Sequence, residues 1–190
     1  MCTSIVNFFR AHPMNLPNII LLGHINSGKT TIANYLRNRY HYNTYALGTG
    51  VKQFVVDLYQ TLHDIDSNIQ PIRYADLNDR RVKEQYRPHM QKISTEVVRK
   101  YFGGDVWVRY LDTQIDRTHP YIIDDIRFKN EFDHYSSTCM SIRVRRDDET
   151  ANQHISEHDV DDVRVDCEIN NNGTLDDLYN KIDTLLSFMV

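Results

Sequence analysis

Gly23-His24-Ile25-Asn26-Ser27-Gly28-Lys29-Thr30 reads G-x-x-x-x-G-K-T and follows directly on the apolar run Ile19-Ile20-Leu21-Leu22. Four apolar residues ending at a glycine are the pattern of a parallel strand buried on both faces. Beyond the motif, Ile32, Ala33, Leu36 and Tyr40 recur at helical spacing. A strand, a glycine-bracketed loop and a helix in that order make an anion cradle. Loop amides turn inward, glycine leaves room for an oxygen, and the helix N-terminus adds unpaired donors and a positive dipole end. The motif thus predicts a polyphosphate held by Gly23, Asn26, Ser27, Gly28, Lys29, Thr30 and Thr31. Lys29 would reach the outer phosphates and the Thr30 hydroxyl would ligate Mg²⁺.

Working outward, 190 residues without linker composition suit one domain with one substantial core, spanning 1–190. A net charge of -4 and a pI near 6.1 give no basic footprint, so no nucleic-acid partner is expected. Cys2, Cys139 and Cys167 are odd in number and far apart, which argues against a disulfide framework. No apolar run approaches the ~18 residues of a membrane span. These readings predict a cytoplasmic protein without a membrane partner; a homodimer is left open.

Further along, Asn43–Leu47, Pro120–Asp125, Cys139–Val144 and Val163–Ile169 read as strands. Helices are predicted through Val51–Leu62, Pro88–Phe102, Asp105–Arg117, Lys129–Tyr135 and Leu175–Phe188, the last capped by Thr174 with Asp177. Alternating strands and helices indicate an α/β fold: a three-layer parallel sheet of about five strands with helices on both faces. Lys52 in the first turn of a helix suits a nearby anion, because the dipole disfavours a cation there. Arg87, Gln91, Thr95 and Arg99 recur every four residues and line one helical stripe. Trp107 reads most simply as a core anchor. Asp124 and Asp125 stand where an apolar strand stops, the place of a metal-side acid; Asp125 is taken for that role, with Asp124 the alternative. Arg143, Arg145 and Arg146 cluster at the end of another strand, a candidate phosphate rim. Two polar excursions, about 63–100 and about 145–162, suit an acceptor-binding region and a lid. Within the second, His154-Ile155-Ser156-Glu157-His158 matches a zinc-protease pattern but has no identifiable third ligand.

A phosphate-binding loop with many arginines suggests transfer of a phosphoryl group to an acceptor that is itself a phosphate. Mutual repulsion is then the main barrier, and positioning plus electrostatics the main catalysis. Asp125-Ile126-Arg127-Phe128-Lys129-Asn130-Glu131 resembles the D-x-R-F-x-N-E signature of the deoxynucleoside monophosphate kinases known from bacteriophages and other viruses. Arg87-Pro88-His89-Met90-Gln91, Phe102 to Val108, His154 to Glu157 and Asn171 to Leu175 agree with that family in the same order. The resemblance implies an adenylate-kinase-like core and the reaction of ATP and a dNMP to ADP and a dNDP, dependent on Mg²⁺. It implies catalytic roles for Lys29, Asp125, Arg127 and Arg145, and nucleotide contacts from Arg143 and Arg146. Lys52, Arg87, Gln91, Thr95, Arg99, Trp107 and Glu157 become acceptor-side residues; Tyr59, Tyr74 and Tyr86 are available for stacking on a base, although packing is the commoner role of such a side chain. The rivals are kinases of the phosphomevalonate, thymidylate or dephospho-coenzyme-A type, and a nucleotide-binding regulatory module without transfer.

Overall fold

The computed structural model describes residues 16–147 and 159–188, apart from the side chain of Arg80. The second excursion is therefore described only at its two ends, and the His154–His158 segment with Glu157 lies outside the described residues.

Five strands form one parallel sheet: β1 (Ile19–Leu22), β2 (Asn43–Tyr45), β3 (Tyr121–Ile123), β4 (Met140–Arg145) and β5 (Cys167–Asn170), in the order β2-β3-β1-β4-β5. Central β1 is buried throughout, as its uninterrupted apolar run requires. Its side chains alternate between two cores. Ile20 and Leu22 meet Trp107, Leu111 and Phe132 on one face, while Ile19 and Leu21 meet Ile32, Leu36 and Ile182 on the other. The helices are α1 (Lys29–Tyr40), α2 (Gly48–Ile65), α3 (Arg80–Gln91), α4 (Val106–Asp112), α5 (Lys129–Tyr135) and α6 (Leu175–Ser187). Thr174 caps α6, its hydroxyl accepting from the Asp177 N–H at 3.2 Å while the Asp177 carboxylate accepts from the Thr174 N–H at 2.9 Å.

The first excursion departs from its sequence reading. Proline at 88 marks a helix start by rule, yet α3 begins at Arg80, eight residues earlier, and carries Pro88 inside it. The reason is Asp79, whose carboxylate accepts from the N–H groups of Arg81 and Val82 at 2.8 and 3.3 Å and so fixes the first turn. The helix then continues through a π-helical stretch, Lys92–Arg99, and a last α turn, Lys100–Phe102. Four-residue steps drift one way around an α-helix and the other way around the wider π turn. The change of winding therefore keeps Arg87, Gln91, Thr95 and Arg99 on one side. A small third core of Val55, Ile72, Leu77 and Met90 fastens this helix to α2.

Candidate active site

The cleft opens at the carboxyl ends of β1 and β3, where ligands collect in open parallel sheets. It has a volume of about 1040 Å³. The loop between β1 and α1 forms one end. Gly23 and Gly28 have φ of 138° and 110°, conformations suited to glycine, and a side chain at Gly23 would meet the Val144 carbonyl. Asn26 is also left-handed, with φ 66°. The Lys29 ammonium donates to the carbonyls of Gly23 and His24 at 2.6 and 2.7 Å, folded along the cradle it would leave for a phosphate. Ser27 is fully buried, and its backbone carbonyl accepts from the Asn171 side-chain amide at 2.8 Å. Asn171 thus braces the loop from the turn after β5, a role only the topology reveals.

The two acids after β3 divide their work. The Thr30 hydroxyl donates to Asp124 Oδ2 at 3.1 Å. Burial, and then the charge of Asp125, pushes the Asp124 carboxyl up to about 6. Asp125 instead spends both oxygens on backbone: Oδ1 accepts from Leu47 N–H at 2.7 Å and Oδ2 from Gly48 N–H at 2.8 Å. It caps α2, where a carboxylate meets the positive end of a helix. By geometry the acid that faces Thr30 is Asp124, while Asp125, expected from the sequence at the metal side, has both oxygens turned to the start of α2. Among the described residues no three histidines, cysteines or acids converge on a metal. The Thr30–Asp124 pair nevertheless suits Mg²⁺, which binds through one or two protein oxygens plus substrate phosphates.

Across the cleft, the stripe from α3 faces inward: Arg87, Gln91, Thr95 and Arg99 all line the wall. Arg87 is held in a two-pronged pair with Glu84 at 2.7 and 2.8 Å. The side-chain nitrogen of Gln91 is buried and, among the described residues, has no hydrogen-bond partner, a costly condition that a ligand acceptor would relieve. Lys52 donates to Asn78 at 3.0 Å and lies over the Tyr74 ring, and burial lowers its ammonium. Arg127 and Arg146 also line the cleft. Trp107 is both core and wall: it is 6% exposed, donates to the Ser94 carbonyl at 3.3 Å and is among the residues lining the cleft.

Three expected site residues belong to the framework. Arg99 pairs with buried Glu131, donates to the Gly104 carbonyl at 2.6 Å and covers the Phe128 ring at 3.9 Å. Arg143 and Arg145 do not line the cleft. Two residues apart on β4, they share one face with Glu168 of β5 and bind its carboxylate at 3.0 to 3.1 Å. Arg143 also donates to the carbonyls of Val160 and Val163, fastening the chain where it returns from the second excursion. Of the three strand-end arginines only Arg146, beyond the strand, reaches the cleft. Tyr59, Tyr74 and Tyr86 do not line it; Tyr59 and Tyr86 pack edge to face, 5.5 Å apart. The D-x-R-F-x-N-E stretch is now legible residue by residue. Asp125 caps α2, Arg127 faces the cleft, Phe128 lies under Arg99, and Asn130 donates to the Gly104 carbonyl at 3.0 Å. Glu131 accepts from the backbone of Arg127 and Phe128 at 2.8 and 3.0 Å.

A parallel sheet whose central strand empties into this loop, with cations converging across one cleft, defines a P-loop fold. The chain belongs to the deoxynucleotide monophosphate kinase family, whose model matches residues 80–182. The matched part excludes the phosphate-binding loop, so the two observations are independent. Family membership implies a phosphotransferase that uses ATP. No curated protein matches the sequence. Among solved structures, TT1252 from Thermus thermophilus is 18% identical over 93% of this chain and 100% of its own, with a TM-score of 0.49. Dephospho-CoA kinase from Campylobacter jejuni is 13% identical over 90% and 96%, at 0.47. Shikimate kinase from Aquifex aeolicus vf5 is 9% identical over 90% and 96%, at 0.46. Among the described residues no helix is long and apolar enough to cross a membrane.

Proposed function

We propose that the protein transfers the γ-phosphoryl group of ATP to the phosphate of a deoxynucleoside monophosphate, giving ADP and a dNDP. One observation carries the reading. A single cleft has the glycine-bracketed loop at one end and, opposite, an arginine beside a buried amide that lacks a partner among the described residues. Arg87 would bind the acceptor phosphate, and Gln91 the edge of its base, bordered by Thr95 and Trp107. Lys29 would leave the carbonyls of Gly23 and His24 for the transferring group, with Arg127 and Arg146 sharing its charge. Thr30 and Asp124 would hold Mg²⁺, which when bound offsets charge on the phosphates. An acceptor phosphate is already ionised, so the side chains need only align two anions and exclude water.

The test is ADP release measured with ATP and Mg²⁺ against all common dNMPs and NMPs. Turnover with at least one dNMP is expected; ADP release that no nucleoside monophosphate stimulates would overturn the reading. Arg87→Ala should raise the KM for the acceptor tenfold or more, the loss of a charge-assisted contact, with ATP affinity unchanged. Equal weakening of both would contradict the placement. Since protons compete with a metal for a carboxylate, Mg²⁺ affinity should fall as pH drops through about 6, the raised Asp124 value. Asp124→Asn should weaken Mg²⁺ binding and flatten its fall with pH relative to the wild type, as titration calorimetry with Mg²⁺ and a non-hydrolysable ATP analogue would show; an unchanged profile would contradict the placement.

A further inference from the structure

The stripe legible in the sequence begins at Arg87 and leaves out Lys83. The observed start of α3 extends it by one step, so that Lys83, Arg87, Gln91, Thr95 and Arg99 all line the cleft at four-residue spacing. Its setting is not that of a lysine that steadies a fold. Among the described residues its ammonium has no hydrogen bond or ion pair within contact distance, while the adjacent Glu84 carboxylate is engaged by Arg87. The helix end it occupies disfavours a cation. Its electrostatic neighbours are mainly cations: burial lowers its pKa, and Lys52, Arg87 and Arg127 lower it further, with Asp125 opposing. In turn, Lys83 is among the cations that act on the Asp124 carboxyl. Lys83 thus lies within electrostatic reach of both the metal-side acid and the acceptor-side arginines. That is where two phosphoryl groups would meet.

We propose that Lys83 is a catalytic residue that contacts the phosphoryl group in transit, between the Thr30–Asp124 end of the cleft and Arg87. The inference rests on the kinase reading above and adds a residue to it. In the step concerned, an oxygen of the acceptor phosphate forms a bond to the γ-phosphorus as the bond to the β-phosphate oxygen breaks, and the electron pair leaves with ADP. Lys83 keeps its proton and neutralises oxygens whose charge shifts during transfer, so its contribution falls on kcat.

Lys83→Met and Lys83→Arg test this with two readouts. In steady-state assays with an accepted dNMP, Lys83→Met should lower kcat about 100-fold with the acceptor KM within threefold, and Lys83→Arg should recover at least tenfold of that loss. In thermal melts without nucleotide, Lys83→Met should melt at or above the wild-type temperature, because a crowded cation is removed. Tripolyphosphate should raise the melting temperature of the wild type more than that of the variant. A kcat within threefold of wild type, a loss confined to KM, or a lowered melting temperature with an undiminished tripolyphosphate shift would each overturn the proposal. If the wild type shows no acceptor-dependent turnover, the kinase reading fails, and the tripolyphosphate comparison still decides whether Lys83 meets a polyphosphate.

Discussion

Lys29→Ala should lower kcat by on the order of 10³ while leaving the fold intact. The ammonium is the charge nearest the cradle, and its present partners, the carbonyls of Gly23 and His24, are only partly buried and can turn to water once it is gone. Structure at the loop is set elsewhere: by the left-handed glycines, by the Ile32 N–H bonding the Gly28 carbonyl at 3.0 Å, and by Asn171 on the Ser27 carbonyl. Because the lysine would meet more charge in transfer than in binding, ATP affinity should fall far less than kcat. Steady-state kinetics beside equilibrium binding of a labelled ATP analogue measures both. Near-normal turnover, or a collapse of circular dichroism, would contradict the account.

The second large effect is on stability. Glu131→Ala should destabilise the protein by about 3–5 kcal/mol, because it strands a buried guanidinium. Side-chain exposure is 10% for Arg99 and 3% for Glu131, so water cannot replace the lost partner. The backbone N–H groups of Arg127 and Phe128 also lose their acceptor. For a chain of this size the melting temperature should drop by roughly 6–20 °C. Burial raises the Glu131 carboxyl to about 7 in spite of Arg99, which indicates how much desolvation the ion pair must offset. Removing both charges should therefore cost less than removing one: Arg99→Met with Glu131→Leu should regain much of the lost stability. A single alanine that costs under 1 kcal/mol would show the pair to be dispensable. Activity should fall with Glu131→Ala as well, since its carboxylate fixes the backbone that carries Arg127 into the cleft.

The Arg99–Glu131 pair also shows where sequence reading stops. Glycines that must adopt positive φ, a four-residue apolar strand and a helix with its caps are local, and Gly23 to Thr30, Ile19 to Leu22 and Thr174 with Asp177 could be read as such. The sheet and its phosphate-binding loop followed from them. Charge pairing is not local. Arg99, Arg143 and Arg145 look in sequence like any phosphate-binding arginines, yet their carboxylate partners lie on other elements, at Glu131 and Glu168. Only the parallel register of β4 with β5, and the seating of the α3 extension against α5, decide that these cations are taken.

By itself, the sequence determined that a polyphosphate cradle sits at the end of a buried parallel strand, because the backbone conformations required are written into single residues and their immediate neighbours. Tertiary structure alone decided which acid faces Thr30, which arginines line the cleft and which are held by a carboxylate on another element, and that Lys83 lines the cleft as well. Those outcomes depend on which side chains meet across elements distant in the chain, and a charge is spent or spared according to the partner that folding brings to it.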